Sequence, residues 1–426
     1  MPLITSDLEF SDDYPTIEPS LKLDFANARA LDPRITFTRA STATYVGANG
    51  LIKTAGDDEA RFDHDPATGE SLGLLIEESR TNLLRRSAEF DNTGGWTSNS
   101  NATASPSITS PDGTTTGYLI TNSNSVAYSG FYQDLIVQSN TTYTLSVYQK
   151  GYENTRTRFG MWSYSNTNWY AHSEYDWTNG IPSLFTTTGI STDEVGSITD
   201  VGGGWYRTIL TFTTGVETSC KIEFHSDRSG TGLSSYFWGI QLEVGTFPTS
   251  YIPTSGSTAT RALEYGYTTN MDFYNQNEGS IFSEVSLLDV GNTGGKVIWS
   301  FNVVGGFGEG IYMVNENGGT GINHVLYDNS VNQYSRSNVV GSISANQFYK
   351  TIYSQQTNNV NSAGDGSVGT DDTSATLPTI GRLVIGNNAW GSSPLTNGLN
   401  PSNCHMKSFS YYPKRLTNAQ LQTLTQ

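Results

Sequence analysis

A chain of 426 residues is long enough for two or three domains, each with its own core. Forty acidic against 23 basic side chains give a formal charge of -17, and no part of the chain carries the basic excess that a phosphate backbone requires, so no nucleic-acid partner is expected. Aromatics reach 12% of residues while Thr, Ser, Asn and Gly are abundant, which predicts an all-β protein whose rings supply much of the buried area.

The opening MPLITSDLEFSDDYP has no basic stretch followed by an apolar run, and predicts neither a cleaved leader nor a membrane span. With Pro2, Pro15 and Pro19, residues 1–20 read as an acidic arm. Short strands are predicted at Ile35–Thr38, Thr44–Val46 and Leu72–Ile76, separated by Asp-Pro, Ala-Asn-Gly and Ala-Thr-Gly-Glu turns. This region is too thin in apolar residues for a core of its own and is expected to pack along another domain or subunit. The acidic run Asp57, Asp58, Glu59, Asp63, His64, Asp65 lacks the ordered spacing of a calcium loop, and His64 has no second histidine nearby. It reads as a solvated, turn-rich loop interacting with Arg61, with no metal and no cofactor.

A middle domain is predicted over residues 91–256. Alternation at Tyr143, Leu145, Val147, at Tyr206 to Phe212, and at Cys220, Ile222, Phe224 fits two antiparallel sheets packed face to face, a jelly-roll type β-sandwich. The closing strand, Phe237 to Val244, is predicted to place Trp238, Ile240, Leu242 and Val244 on one face and Phe237, Gln241 and Glu243 on the other. Between these strands lies MWSYSNTNWYAHSEYDWTNG, with Trp162, Tyr164, Trp169, Tyr170, Tyr175 and Trp177 set among polar residues. Rings interleaved with Asn, Asp, Glu and His suit a sugar platform, because an apolar pyranose face stacks on a ring while its hydroxyls meet short polar groups. The competing reading is that these rings fill a core or a subunit interface.

The linker Ser257-Thr-Ala-Thr-Arg-Ala262 echoes Thr38-Arg-Ala-Ser-Thr-Ala-Thr44, so the exit from the middle domain is expected to return beside the N-terminal region. A third domain, residues 265–426, has alternating runs at Ile281–Leu287, Val297–Val303 and Leu383–Ile385, and the stretch from residue 354 reads as a long exposed loop. At the end, Thr417 and Gln420 form a predicted capping box with a Leu416–Leu421 staple, giving one short helix that packs Leu421 and Leu424 on the sheet. Cys220 and Cys404 fall in different domains and read as buried thiols. No phosphate loop, His-Glu-x-x-His or Gly-x-Ser-x-Gly is present, and carboxylates such as Glu174, Asp176 and Asp227 are too many to single out a hydrolytic pair.

The segments LDPRITFTRASTATYVGANGLIKTA and RFDHDPATGESLGLLIEESRTNLL resemble the N-terminal region of tail-fibre, head-fibre or appendage proteins of tailed bacteriophages. FWGIQLEVGTFPTSYIPTSGSTATRA looks like the end of the carbohydrate-binding-module-like jelly roll that often follows, and residues 265–426 resemble concanavalin A/laminin-G-like sandwiches. The resemblance implies tandem β-sandwiches behind an extended attachment region, residues 1–90. It also implies a virion structural protein, a homotrimer that attaches to other virion proteins through that region and touches host-surface glycans. A decoration or adaptor protein without a ligand, and a polysaccharide-cleaving enzyme, are the alternatives; no catalytic residue is assigned.

Overall fold

The computed structural model describes residues 14–91, 95–99, 102–122, 128–153, 155–191, 193–227, 232–290, 295–303, 309–315, 321–387 and 401–426. Residues 1–13, most of the expected arm, lie outside them. The described chain is almost entirely antiparallel β-structure in sandwich-like units, with one short C-terminal helix.

Two compact units divide it: Met1–Thr38, Leu72–Glu78 and Glu264–Gln426 form one, Arg39–Ser71 and Ser79–Leu263 the other. The N-terminal region does not form a body of its own: its residues up to Thr38 and Leu72–Glu78 fall in one unit, and Arg39–Ser71 falls in the other. Its strands are too short to bury a core alone, and they complete the sheets of others instead. Leu21–Asp24 pairs with Cys404–Tyr412, and Thr36–Thr38 pairs with Tyr265–Thr268.

The middle unit is a sandwich of two six-stranded sheets. One runs Val195–Asp200, Tyr206–Thr213, Thr142–Gly151, Ser234–Val244, Gly117–Asn122, Ala102–Ile108; the other runs Ile181–Gly189, Asn168–Thr178, Arg156–Ser163, Ser219–Asp227, Ser129–Ile136, Thr97–Asn99. Tyr143, Leu145, Val147, Leu210 and Phe212 from the first sheet meet Phe131, Phe159, Met161, Ile222 and Phe224 from the second in one buried cluster.

The closing strand departs from simple alternation. Phe237, not Trp238, joins Ile240 and Leu242 in the main core, while Trp238 packs with Tyr148, Trp205 and Tyr251 in a second cluster. The cause is a bulge: the register against Thr142–Gly151 shifts between Ser146 and Tyr148, where Gly239 takes a φ of 60°. An extra residue in one strand exchanges its two faces, and glycine tolerates the left-handed conformation this needs. A Cβ at Gly239 would lie 2.8 Å from Tyr148 Cδ2. Gly239→Ala is accordingly expected to cost roughly 1–3 kcal/mol, read as a lowered thermal unfolding midpoint.

The predicted return of the exit segment is realised within this unit. Ser41 Oγ accepts from Ala262 N at 2.9 Å, and Arg61 Nη1 donates to Thr44 O at 2.6 Å and to Ser250 Oγ at 2.8 Å. Arg39, Arg61 and Arg261 are all buried, and so are Asp63 and His64 on the strand Arg61–His64, so this part of the acidic run is not the solvated loop expected from its charge. The acidic run serves backbone N–H groups: Asp58 Oδ1 accepts from Arg39 N at 2.8 Å, Asp63 Oδ1 from Val46 N at 2.6 Å, and Asp65 Oδ1 from Ala67 N at 3.0 Å.

In the other unit, Asn359–Gly364, Phe348–Gln356, Glu278–Leu287, Cys404–Tyr412 and Ser71–Ile76 follow one another in one sheet. The second sheet runs Thr36–Thr38, Tyr265–Thr268, Arg382–Ile385, Lys296–Asn302, Gly310–Asn315, Gly321–Asp328, Val331–Gly341. The stretch from residue 354 is not a long loop. Phe348–Gln356 and Asn359–Gly364 form a hairpin turned by Asn358 at a φ of 58°, with Asn361, Ser362 and Ala363 buried. Small polar residues hid the strand: Ser362 hydrogen-bonds Tyr334 at 2.9 Å, and Asn361 Nδ2 donates to Asp371 Oδ1 at 2.6 Å. The helix Asn418–Thr425 begins at the predicted capping box, and Leu416 and Leu421 bury against Ile352 and Ala363 with Leu424 at the margin. Both cysteines are buried free thiols; burial pushes Cys220 up to about 12 and Cys404 up to about 11.

Candidate functional site

The outer face of the second middle sheet carries a cleft of about 690 Å³. Three adjacent strands build it by alternation. On Arg156–Ser163, Phe159 and Met161 enter the core while Arg158 and Trp162 face out; on Ser219–Asp227, Cys220, Ile222 and Phe224 enter while Lys221, Glu223 and His225 face out. On Asn168–Thr178 the alternation is broken once. Met161 pairs with Ala171, but Trp162 pairs with Trp169, so Tyr170 and Ala171 together oppose a single residue and both bury in the core. This bulge brings Trp169 onto the same face as His172, their rings 5.1 Å apart. Gly160, opposite His172 and Glu223, admits no side chain, since a Cβ there would lie 2.2 Å from Ala171 O.

Of the six aromatic residues singled out from the sequence, Trp162 and Trp169 line the cleft, edge to face at 5.7 Å. Tyr164 is 45% exposed and donates its hydroxyl to Asp134. The other three belong to the scaffold. Tyr170 is in the core and its hydroxyl accepts from Gly215 N at 2.5 Å. Tyr175 stacks on Phe159 at 5.7 Å and donates to Ile209 O at 3.1 Å. Trp177 is buried with its Nε1 donating to Thr157 Oγ1 at 2.9 Å. Beyond the bulge, residues 171, 173, 175 and 177 share the inward face, which is why these two rings cannot reach a ligand in the cleft.

Asn168 and His172 of the same aromatic segment also line the cleft, with Thr188 and Gly189 from the next strand, while Asn99, Tyr128, Arg158, Lys221, Glu223 and His225 come from outside that segment. Arg158 Nε donates to Glu174 Oε1 at 2.7 Å, and its guanidinium lies 5.0 Å from the Trp169 ring and 5.2 Å from Tyr128. Lys221 Nζ is 2.8 Å from Glu223 Oε2 and lies 4.7 Å from the Tyr132 ring and 5.3 Å from Trp162. His225 Nε2 meets Glu223 Oε1 at 2.7 Å, where Asn99 Nδ2 also donates at 2.5 Å.

Burial pushes the Glu223 carboxyl up, but His225 and Lys221 together outweigh it and hold Glu223 well below the usual carboxylate range. Burial also holds His225 below the usual imidazole value despite Glu223 beside it. At neutral pH the pair is thus a carboxylate accepting from a neutral imidazole N–H. A carboxyl held ionised in this way cannot serve as a proton donor at neutral pH. The arrangement presents aromatic surface and fixed hydrogen-bonding groups to a ligand, with the cations anchored by ion pairs and ring contacts.

No protein-family profile matches the sequence, and no characterised protein matches it in sequence. Among solved structures, the chain is similar to a heptameric SAP-like pentraxin from Limulus polyphemus, at 14% identity and a TM-score of 0.30 over 35% of this chain and 70% of that one. It is similar to domain 4 of the arabinanase AbnA from Geobacillus stearothermophilus, in complex with arabinotriose, at 13% identity and a TM-score of 0.30 over 43% of this chain and 84% of that one. A Trypanosoma rangeli sialidase in complex with sialic acid matches at 11% identity and a TM-score of 0.30, over 72% of this chain and 60% of that one. Likenesses this distant assign neither a family nor an activity.

Proposed function

We propose that the middle sandwich binds a glycan in the cleft walled by Trp162 and Trp169, and that the protein is a virion fibre or appendage component displaying this cleft towards a host surface. The observation that carries the binding reading is the convergence of two tryptophans from adjacent strands with Arg158, His172, Glu223 and His225 on one open sheet face. Rings supply stacking surface for the apolar face of a sugar, and fixed polar groups between them select hydroxyls. The virion role is supported by the resemblance of the long N-terminal motifs and the Phe237–Ala262 stretch. Attachment through the N-terminal region and assembly as a homotrimer belong to the same reading. Several copies of a weak site give avidity, so a cleft of modest affinity suffices.

Trp162→Ala is expected to reduce glycan binding roughly tenfold or more, the loss usual for a central aromatic anchor. A glycan array with the intact chain and with this variant checks it. Retention equal to that of the unaltered protein removes the aromatic platform. Tyr175→Phe, which alters only a core hydroxyl, should leave binding in place. The ligand-free adaptor reading draws on the burial of Tyr170, Tyr175 and Trp177, but it gives no reason for Trp162 and Trp169 to face an open cleft.

A further inference from the structure

The charges in the cleft are compensated where they stand. Among the described residues, each cation that lines it is held by a carboxylate on the same sheet face: Arg158 by Glu174 on the neighbouring strand, directly opposite in register, and Lys221 by Glu223 two residues along its own strand. Glu174 and Glu223 are both buried, so these pairs sit where water screens little. Just beyond the cleft the pattern continues, with Arg156 Nε 2.6 Å from Asp176 Oδ1. Both lining cations also rest on rings of the site: Arg158 on Trp169 and Tyr128, Lys221 on Trp162 and Tyr132.

We infer that the cleft takes an uncharged saccharide and discriminates against acidic ones, an inference that rests on the glycan-binding reading above. An acidic sugar would bring a carboxylate or sulfate beside two buried carboxylates whose counter-ions are already engaged. Binding it through Arg158 or Lys221 would either set its negative charge beside Glu174 or Glu223 across a shared cation, or draw that cation away and leave Glu174 with only the longer 3.8 Å contact to Arg156, or Glu223 without its ammonium. Hydroxyl groups need no such exchange. They donate to the carboxylates and accept from guanidinium, ammonium and amide N–H groups with the ion pairs intact, while ring C–H faces meet Trp162 and Trp169. Asn99, Asn168 and Thr188 add neutral polar groups to the wall. At longer range, a formal charge of -17 repels a polyanion approaching from solution.

The test is an array carrying neutral and acidic glycans (uronate, sialic acid and sulfate), probed with the full chain and with Trp162→Ala and Tyr128→Ala, each first shown folded by thermal unfolding. Neutral glycans should be retained, with affinity changing less than about twofold between roughly 20 and 500 mM NaCl, because screening acts on uncompensated charge. Both variants should lose that retention. Retention confined to acidic glycans and falling steeply with salt would overturn the inference and leave the glycan-binding reading standing. No variant-sensitive retention of either class would overturn the glycan-binding reading itself, and the inference with it.

Discussion

Arg61→Met is expected to lower the unfolding midpoint of the middle unit by roughly 10 °C, from about 3–5 kcal/mol lost at about 2–4 °C per kcal/mol for a unit of this size. Arg61 is buried, and its Nη1 donates to Thr44 O and Ser250 Oγ. The same Ser250 hydroxyl accepts from Arg261 Nη1 at 3.1 Å, and Arg261 also reaches Thr249 Oγ1 at 3.0 Å. Thr249 is in turn tied to the buried Glu243, whose Oε2 accepts from Thr249 N at 3.0 Å. Methionine fills the space but withdraws the donors, so a buried carbonyl and hydroxyl lose a charged partner. Arg61→Lys should not rescue, because the ammonium ends a shorter stem and falls short of the place where Nη1 meets both acceptors. Calorimetry of the full chain measures the shift, and a change under about 2 °C would mean that the network carries little of the unit's stability.

The meeting of the two echoing segments was legible in the sequence, while the buried arginine network and the cleft were not. The Thr-Arg-Ala-Ser-Thr-Ala-Thr echo is a local pattern whose two copies meet, and Ser41 does accept from Ala262. The C-terminal capping box is likewise local, and both of its hydrogen bonds form. The cleft instead depends on register among strands distant in sequence. Lys221, Glu223 and His225 show only a polar face alternating with Cys220, Ile222 and Phe224, which any half-exposed strand would show. Two bulges account for the misplaced rings. Periodicity assumes an unbroken strand, so it assigned Trp238 to the face that Phe237 occupies, and it offered no means of separating Trp169 from Tyr175. Gly239 was the available signal for the first, since glycine inside a strand often marks a bulge. Tyr170–Ala171 carries no such mark. The hairpin at residue 354 failed for another reason: its buried positions hold Asn, Ser and Ala, satisfied by hydrogen bonds that composition cannot foresee.

His324→Leu is expected to flatten the acid side of the stability profile of the unit that contains it. His324 is fully buried on the strand Gly321–Asp328, with its ring 5.7 Å from Trp299 and 5.9 Å from Tyr353, and neither Nδ1 nor Nε2 has a hydrogen-bond partner among the described residues. Burial, helped by the charge of Arg336, pushes it down to about 3 from an ordinary value of 6.5. Between those two values the unfolded chain binds a proton here that the folded chain does not. Stability therefore rises with pH across this window, by about 1.4 kcal/mol per pH unit, and is lost as pH falls from about 6.5 towards about 3. Leucine has no proton to bind, so the variant should lack this slope and gain on the unaltered protein by roughly 3 kcal/mol at pH 4. Near pH 7 it should be equal or more stable, because two buried nitrogens without partners are replaced by apolar surface of similar volume. Calorimetry of the full chain at several pH values compares the slopes. In the unaltered protein, with the imidazole Cε1 labelled, the His324 resonance should stay at its neutral position down to about pH 4. Titration near 6.5, or identical pH slopes for protein and variant, would show that this histidine takes up its proton without leaving the folded core.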